Sequence, residues 1–333
     1  MFTSCAKSVD NVQEGGEENS SVTFAISVEG MRMNEIRGSY ADNLTEPASQ
    51  IKSLRIMMFD YNSGELEVDY TLDYIDGQSQ ITRQLPYKGL TAGVTLKKHI
   101  VALANIRCES QSISVDFPAA GIKRYDDIKN ITVTLRGAID GSDKLMPMAA
   151  QSDPTQGIEI QMGSNEISLT LERLVSRFGF TNVTPPGTDA VTGAVIPAKN
   201  IFTATRIEMS NYATSYRLFD SSVAPTLSST AMSITLGDDE NTVFYMLPTP
   251  RNASGRGLAV TVYGKANESV TENVSKKFEI ALMPIGLFNG TIARNCAYAM
   301  YVEYKREITW ESRPVSKSSI ADAKYFIEAP KVD

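Results

Sequence analysis

The sequence of 333 residues predicts an all-β protein with two β-sandwiches in tandem. About fifteen short segments alternate apolar with polar residues, which is the side-chain period of a strand with one buried face. Turn-forming residues separate these segments, and no segment predicts a long helix. So many strands exceed what one small sandwich holds, so we expect two domains that meet near Arg177.

Strands of the first half begin with residues 22–28, whose large apolar side chains share one face: Val22, Phe24, Ile26 and Val28. Further strands are predicted at residues 54–59, 65–70, 94–106, 131–135, 158–162 and 167–171. The turn at residues 60–64 joins the first two of these as a hairpin. Short helical pieces are predicted near residues 47–53 and 125–129.

Strands of the second half are predicted at residues 201–209, 231–236, 242–247, 258–263, 278–283, 297–304 and 308–310. A last alternating segment, residues 321–329, places one set of side chains on a common face: Ala321, Ala323, Tyr325, Ile327 and Ala329. The predicted organisation is a tether at 1–21, an N-terminal sandwich at 22–177 and a C-terminal sandwich at 178–333.

Charge and composition exclude several classes of partner. The net charge is −7, from 32 basic and 39 acidic residues, and the sequence has no dense basic stripe, which argues against a nucleic-acid partner. No apolar run reaches the length of a transmembrane helix. The hydrophobic fraction of 42% is enough for each domain to bury a core.

The sequence predicts no catalytic, metal or cofactor site. Its single histidine, His99, lies in an apolar run and is expected to be a half-buried strand residue. The acidic runs at residues 126–127 and 238–240 are typical of solvated turns rather than calcium loops. Cys108 and Cys296 are expected to be small buried side chains, with a disulfide between them as the less favoured alternative.

The extreme N-terminus predicts a lipid attachment site. Residues 1–5 are similar to the end of a lipoprotein signal peptide, in which small residues precede the cysteine that receives the lipid, here Cys5. Residues 6–21 are polar and acidic, as expected of a flexible tether. The alternative is an incidental cysteine in a terminal segment.

Five segments carry motifs whose order along the chain is informative. They are residues 51–60 with Gly64, residues 98–105, residues 145–148 followed by 167–177, residues 242–248, and residues 292–302. Within them, Glu172-Arg173-Leu174-Val175-Ser176-Arg177 fills a pattern L-x-R-x-V-A-K/R, with Ser176 where alanine is common. Together these segments resemble the fimbrillin superfamily, the type V pilins of Bacteroidota.

This resemblance implies two transthyretin-like sandwiches, no enzymatic activity, and export as a lipoprotein to the outer membrane before assembly into a fimbria. It also implies cleavage by a processing protease after Arg37, with Arg32 as the alternative. The first strand, with Val22, Phe24, Ile26 and Val28, would then be displaced. The C-terminal strand of another fimbrial subunit, with Ala323, Tyr325 and Ile327 inward, would replace it. Host or bacterial surface ligands are further expected partners.

One alternative function stays open at this point. A non-polymerising surface lipoprotein, acting as an adhesin or a glycan-binding module, has the same composition and strand pattern. We expect the last segment, residues 315–333, to be loosely held in the monomer if it serves as the donor strand.

Overall fold

The computed structural model describes residues 20–30, 50–88, 90–106, 112–137, 139–140, 145–183, 187–188, 195–196, 202–236, 241–250, 258–266, 275–281, 292–310 and 316–328. These residues are almost entirely β-structure, which confirms the predicted fold class. A single 3-10 helix over Tyr125–Asn130 also lies within these ranges, where a short helical piece is predicted. Among the described residues, no helix has the length and apolarity needed to cross a membrane.

The strands of the first half, in chain order, are β1 (Ser21–Val28), β2 (Ile51–Asp60), β3 (Leu66–Gln78), β4 (Gln80–Pro86), β5 (Thr95–Ala104), β6 (Ile113–Asp116), β7 (Thr132–Leu135), β8 (Ile139–Asp140), β9 (Met148–Gln151), β10 (Ile158–Gln161), β11 (Ser164–Arg173) and β12 (Ser176–Val183). Those of the second half are β13 (Gly187–Thr188), β14 (Val195–Ile196), β15 (Phe202–Ser210), β16 (Ala213–Arg217), β17 (Thr226–Leu227), β18 (Met232–Thr235), β19 (Asn241–Met246), β20 (Ala259–Ala266), β21 (Ser275–Ala281), β22 (Ala297–Trp310) and β23 (Ser316–Glu328).

Within the described ranges the strands form five sheets, the largest of which has eight strands. Its order is β3-β2-β5-β9-β11-β1-β4, and β10 also pairs with β5. A five-stranded sheet has the order β23-β22-β12-β19-β8. Two four-stranded sheets have the orders β18-β15-β20-β21 and β17-β16-β7-β6, and β13 pairs with β14 alone.

The centre of the largest sheet is buried on both faces. Along β2, Ile56 and Met58 belong to one hydrophobic cluster, while Met57 and Phe59 belong to another. Successive side chains of the neighbouring strand β5 also alternate between these two clusters, and its residues 98–104 are all buried. A strand that is covered on both faces needs a continuous apolar run rather than alternation, which explains the unbroken apolar stretches of β2 and β5.

Most predicted strands are confirmed, with a few corrections. Residues 51–53 were expected near a helical piece but lie in β2, where Ile51 is fully buried and begins the buried face of that strand. The predicted strands at 297–304 and 308–310 are one strand, β22. The prediction missed nine of the described strands, most of them short: β4, β6, β8, β9, β12, β13, β14, β16 and β17.

Strand pairing crosses the predicted domain boundary at Arg177. β7 pairs with β16, and β8 pairs with β19, so strands from both sides of this residue share two of the sheets. Phe178 and Phe244 stack at 5.4 Å in a hydrophobic cluster that also holds Met57 and Val101. The division into sandwiches at 22–177 and 178–333 stays a prediction.

Candidate functional site

The first strand lies inside the largest sheet rather than at its edge. β1 pairs in parallel with β11 on one side and antiparallel with β4 on the other. Phe24 is opposite Ile167 of β11 and Arg83 of β4, and Ile26 is opposite Leu169 and Ile81. The slot between β11 and β4, which we call the β1 groove, is therefore bounded by backbone hydrogen-bonding groups on both sides.

The side chains of β1 fill this groove with strict alternation. Val22, Phe24 and Ile26 are each only 1% exposed, and Val28 is half-buried. Burying these first three side chains contributes about 4–9 kcal/mol as an upper bound. This is comparable with the entire free energy of unfolding of a typical domain, about 5–15 kcal/mol. The predicted inward face of the first strand is thus confirmed as a major part of the core.

Backbone and side-chain hydrogen bonds hold the start of β1. The amide of Ser21 donates to the carbonyl of Gly163 at 3.2 Å, and the amide of Tyr87 donates to the carbonyl of Ser20 at 3.0 Å. The Gln84 amide group donates to the Ser21 hydroxyl at 2.7 Å. These contacts fix the register of β1 against its neighbours.

A second set of contacts holds the chain where it leaves β1. The Glu29 amide donates to the carbonyl of Leu171 at 2.9 Å. Arg173 Nη1 donates to the Glu29 carbonyl at 2.8 Å. Asn295 Nδ2 donates to Glu29 Oε2 and to the Gly30 carbonyl, both at 3.2 Å. We call Arg173 and Asn295 the exit clasp.

The fold brings the two clasp residues together from distant parts of the chain. Arg173 ends β11, and Asn295 lies in the turn before β22 with a left-handed φ of 54°, which asparagine tolerates better than most residues. Both residues are 0% exposed. Their neighbours form an ion pair, in which Arg294 Nε lies 2.7 Å from Glu172 Oε2. The motifs at 172–177 and 292–302 therefore meet beside the end of β1.

The proposed donor segment is a hydrogen-bonded strand in this structure. β23 pairs antiparallel with β22, and Ala323, Tyr325 and Ile327 are opposite Tyr304, Val302 and Met300. Residues 316–328 are therefore paired with β22 in this structure, and how loosely this edge strand is held stays a prediction. The physical reason for the pairing is that an alternating segment suited to a groove is equally suited to an edge strand beside a hairpin partner.

The single histidine belongs to an aromatic stack in the core. His99 is 6% exposed, slightly more buried than expected, and its ring stacks on Tyr125 at 3.8 Å and lies 4.6 Å from the ring of Tyr61. Burial lowers the pKa of His99, while the nearby charges of Asp126 and Asp60 oppose this shift. Nδ1 of this imidazole has no hydrogen-bond partner among the described residues, and the ring packs between aromatic side chains.

A buried ion-pair network lies beside this stack. Lys98 is 1% exposed, and its Nζ lies 3.0 Å from Asp60 Oδ2 and 2.8 Å from Glu67 Oε1. The Tyr87 hydroxyl donates to Glu67 Oε2 at 2.6 Å, and burial raises the pKa of Tyr87 to about 12. Hydrogen bonds from the Ser63 backbone and from Lys98 lower the pKa of Asp60 to about 2. Against the opposing effect of burial, the hydrogen bonds to Glu67 and Asp60 raise the pKa of Lys98, so Lys98 and Asp60 are both charged at neutral pH and fix the turn between β2 and β3.

Several predicted residues lie outside the described part of the chain: Cys5, Arg32, Arg37, Cys108 and the acidic run at 238–240. Cys296 is fully buried, as expected. In the acidic pair at 126–127, Asp126 forms an ion pair with Lys129 at 2.8 Å, and Asp127 accepts hydrogen bonds from the amides of Lys123 and Arg124. This pair is therefore part of a helix cap.

The exit clasp is the functional arrangement that the sequence did not predict. Arg173 and Asn295 are each part of a motif in the sequence, but nothing along the chain indicates that they meet. The available signal is that Arg173 occupies a position where the alternation of β11 calls for a buried apolar residue. A buried arginine requires hydrogen-bond acceptors nearby.

Comparisons with known proteins agree with this architecture. A family model described as "Major fimbrial subunit protein (FimA)" matches residues 20–201. No curated protein is detectably similar in sequence.

Solved structures of low sequence identity share the fold. The tip fimbrial protein Mfa3 from Porphyromonas gingivalis, with C-terminal truncation, is similar with a TM-score of 0.56 and 14% identity, over 93% of this chain and 99% of that chain. A fimbrilin (FimA) from Porphyromonas gingivalis W83 has a TM-score of 0.54 and 15% identity, over 86% and 90% of the two chains. A fimbrial assembly protein from Parabacteroides distasonis ATCC 8503 has a TM-score of 0.51 and 12% identity, over 93% and 96%.

Proposed function

Because the chain belongs to the family of major fimbrial subunit proteins (FimA), we propose that it polymerises by exchanging β1 for the terminal strand of another subunit. The family is one of structural subunits rather than enzymes, and membership implies a place in a cell-surface fimbria. The finer proposal concerns how the subunits join.

One observation carries this proposal: β1 fills an interior slot of the sheet, yet residues 31–49 alone connect it to β2. A cut within 31–49 severs the chain between β1 and β2, breaks none of the strand pairings that the structure describes, and would free β1 to leave. Its loss would open an apolar groove with backbone groups on both sides, which another strand of matching alternation can fill. In the polymer, the incoming strand would then bury the apolar groove that departure of β1 exposes.

The proposed donor is the segment of β23 with Ala323, Tyr325 and Ile327. This strand is at the edge of the five-stranded sheet, so it has one partner strand in that sheet, β22. If β23 peels away, β22 keeps its parallel pairing with β12. The donor can therefore leave its own subunit without dividing a sheet.

The experiment is proteolysis of the full chain by an arginine-specific protease, followed by size analysis and N-terminal sequencing of the product. We expect cleavage after Arg37, or after Arg32, and then ladders or filaments. The matched control is the Arg32→Ala, Arg37→Ala double variant, which should remain a folded monomer. Normal filaments from this variant would contradict the cleavage proposal. A cleaved wild-type chain that stays monomeric would favour the non-polymerising adhesin instead.

We also propose that Cys5 carries a lipid that anchors the precursor to the outer membrane. The wild-type precursor should then partition with membranes, and Cys5→Ala should release it. Unchanged partitioning of this variant would contradict the lipid attachment.

A further inference from the structure

We infer that the exit clasp requires an acidic residue at the end of any strand that fills the β1 groove, and that Glu328 of the incoming subunit supplies it. This inference rests on the proposed strand exchange, and it adds a specificity-determining contact and a register. The clasp consists of Arg173 and Asn295, and in the monomer it holds Glu29 and Gly30.

When β1 leaves, the clasp loses three hydrogen-bond acceptors. The Glu29 carbonyl, the Gly30 carbonyl and the Glu29 carboxylate all accept hydrogen bonds from the two clasp side chains. Departure of β1 removes these three acceptors from two side chains that are 0% exposed. A buried cation and a buried amide that lose acceptors are costly, so the groove selects a strand that restores them.

The tail sequence repeats the sequence at which the chain leaves β1. Val28 ends β1 and is followed by Glu29 and Gly30, and the tail contains Ile327-Glu328-Ala329. Each has a β-branched apolar residue, then glutamate, then a small residue. An incoming tail that runs in the direction of β1 keeps the parallel ladder with β11 and the antiparallel ladder with β4.

This repeat sets the register of the incoming strand. If Glu328 takes the position of Glu29, then Ile327, Tyr325 and Ala323 take the positions of Val28, Ile26 and Phe24. These three tail residues all lie in the phase of the buried face of β1. A shift by one residue would turn the opposite face into the groove.

A shift by two residues is the competing register. It places Tyr325 at Phe24 and Ile327 at Ile26, which matches side-chain size better. It also places Pro330 at the position of Glu29, whose amide donates to the Leu171 carbonyl at 2.9 Å. Proline has no amide hydrogen, and this register brings no carboxylate to Asn295. The clasp and the Leu171 carbonyl therefore favour the register with Glu328 at the exit.

The test uses the full chain cut within residues 31–49, from which the β1 fragment has been released, and a fluorescent peptide of residues 316–333. Peptide binding is measured by anisotropy for the wild-type peptide and for the Glu328→Ala, Glu328→Gln and Lys324→Ala variants. We expect Glu328→Ala to weaken binding at least about tenfold, as for loss of a charge-assisted hydrogen bond. Lys324→Ala, on the outward face, should change affinity less than about twofold.

Asn295→Asp supplies the reciprocal test. It keeps an oxygen acceptor for Arg173 but replaces the amide donor with a carboxylate, and aspartate also tolerates a left-handed φ. The cut Asn295→Asp chain should bind the Glu328→Gln peptide more tightly than the wild-type peptide, which reverses the wild-type preference. Equal binding of all peptides by both chains would overturn the clasp inference.

These experiments distinguish a failure of the clasp inference from a failure of the proposed strand exchange. If the cut wild-type chain binds none of the peptides, strand exchange fails, and the proposal of a tail ligand fails with it. The contact between the clasp and Glu29 is then tested in the uncut chain. There Asn295→Asp should lower the melting temperature, and adding Glu29→Gln to that variant should restore part of the loss. If the peptides bind equally well while this rescue is seen, the clasp holds β1 but does not select the donor.

Discussion

Arg173 Nη1 donates a hydrogen bond to Asn295 Oδ1 at 3.1 Å, although 122 positions separate the two residues in the sequence. The bond joins the end of β11 to the turn before β22, and both residues also hold the chain that leaves β1. The exit of the β1 groove therefore exists only when both halves of the chain are folded. Any exchange of β1 is consequently sensitive to the folding of the second half.

The first prediction concerns the burial of β1. Phe24→Ala should lower the free energy of unfolding of the uncut chain by about 3–5 kcal/mol, because it leaves a cavity at a side chain that is 1% exposed. The control is Thr23→Ala, on the opposite face of the same strand, which should cost less than about 1 kcal/mol. The measurement is denaturant unfolding. Equal effects of the two substitutions would contradict the role of β1 in the core.

The sequence predicts the strands well because their alternation depends only on local residues. β1, β11 and β7 all follow this rule, and each was predicted near its observed position. Strand order is a different matter, since the parallel pairing of Phe24 with Ile167 depends on contacts between distant segments. The clasp could not be predicted for the same reason.

For the tail, the sequence predicts the strand but not its partner. The alternation of residues 321–329 fits a donor strand, but it fits the edge of a hairpin with β22 equally well. Periodicity determines which face of a strand is apolar, whereas the partner strand is decided by the competition between available edges. The structure therefore resolves the monomer state of the tail, which the pattern leaves open.

The second prediction concerns the buried lysine. Lys98→Ala should lower the free energy of unfolding by about 2–4 kcal/mol, because Asp60 and Glu67 lose their shared cation and a cavity forms. The neighbouring Lys97 is the control: its side chain is 46% exposed, and its ion pair with Glu159 is 3.6 Å long. Lys97→Ala should cost less than about 1 kcal/mol. A cost for Lys98→Ala no greater than that for Lys97→Ala would show that the network does not stabilise the fold.

The third prediction concerns pH. Burial lowers the pKa of His99 from its ordinary 6.5, so the unfolded chain binds a proton more readily than the folded chain just below that pH. The free energy of unfolding should therefore fall as the pH drops from 7.5 toward 5. His99→Gln should flatten this dependence.

Titration of Asp60 lies below the pH range used to measure the effect of His99. Its pKa is lowered from 3.8 to about 2, so the stability that it contributes is lost only as the pH falls through that lower interval. A slope between pH 5 and 7.5 that is the same in the His99→Gln variant would assign the dependence to other groups.

The fourth prediction concerns a close approach between a turn and the aromatic stack. Gly157 has a φ of 65°, and a Cβ there would lie 2.7 Å from Tyr61 Cδ2 and 3.0 Å from the Lys98 carbonyl. Gly121 is the matched control, since its φ of 75° is equally left-handed but a Cβ there would meet nothing within 4 Å. Gly121→Ala should cost about 1 kcal/mol from backbone strain, and Gly157→Ala about 1–3 kcal/mol more from overpacking. Equal melting temperatures for the two variants would contradict the close approach.

The last prediction concerns the donor residues of the tail. Tyr325→Asp together with Ile327→Asp should block polymerisation of the cut chain, because both carboxylates would enter the β1 groove beside fully buried apolar residues. The control is the double variant Lys324→Asp, Phe326→Asp, which places two carboxylates on the opposite face of the same strand and also removes the positive charge of Lys324. This control should polymerise more readily than the test variant. Circular dichroism of both monomers separates a failure to exchange from a failure to fold. A test variant that unfolds while the control stays folded would mean that β23 is an integral strand of its own subunit, and the donor would then have to be sought elsewhere.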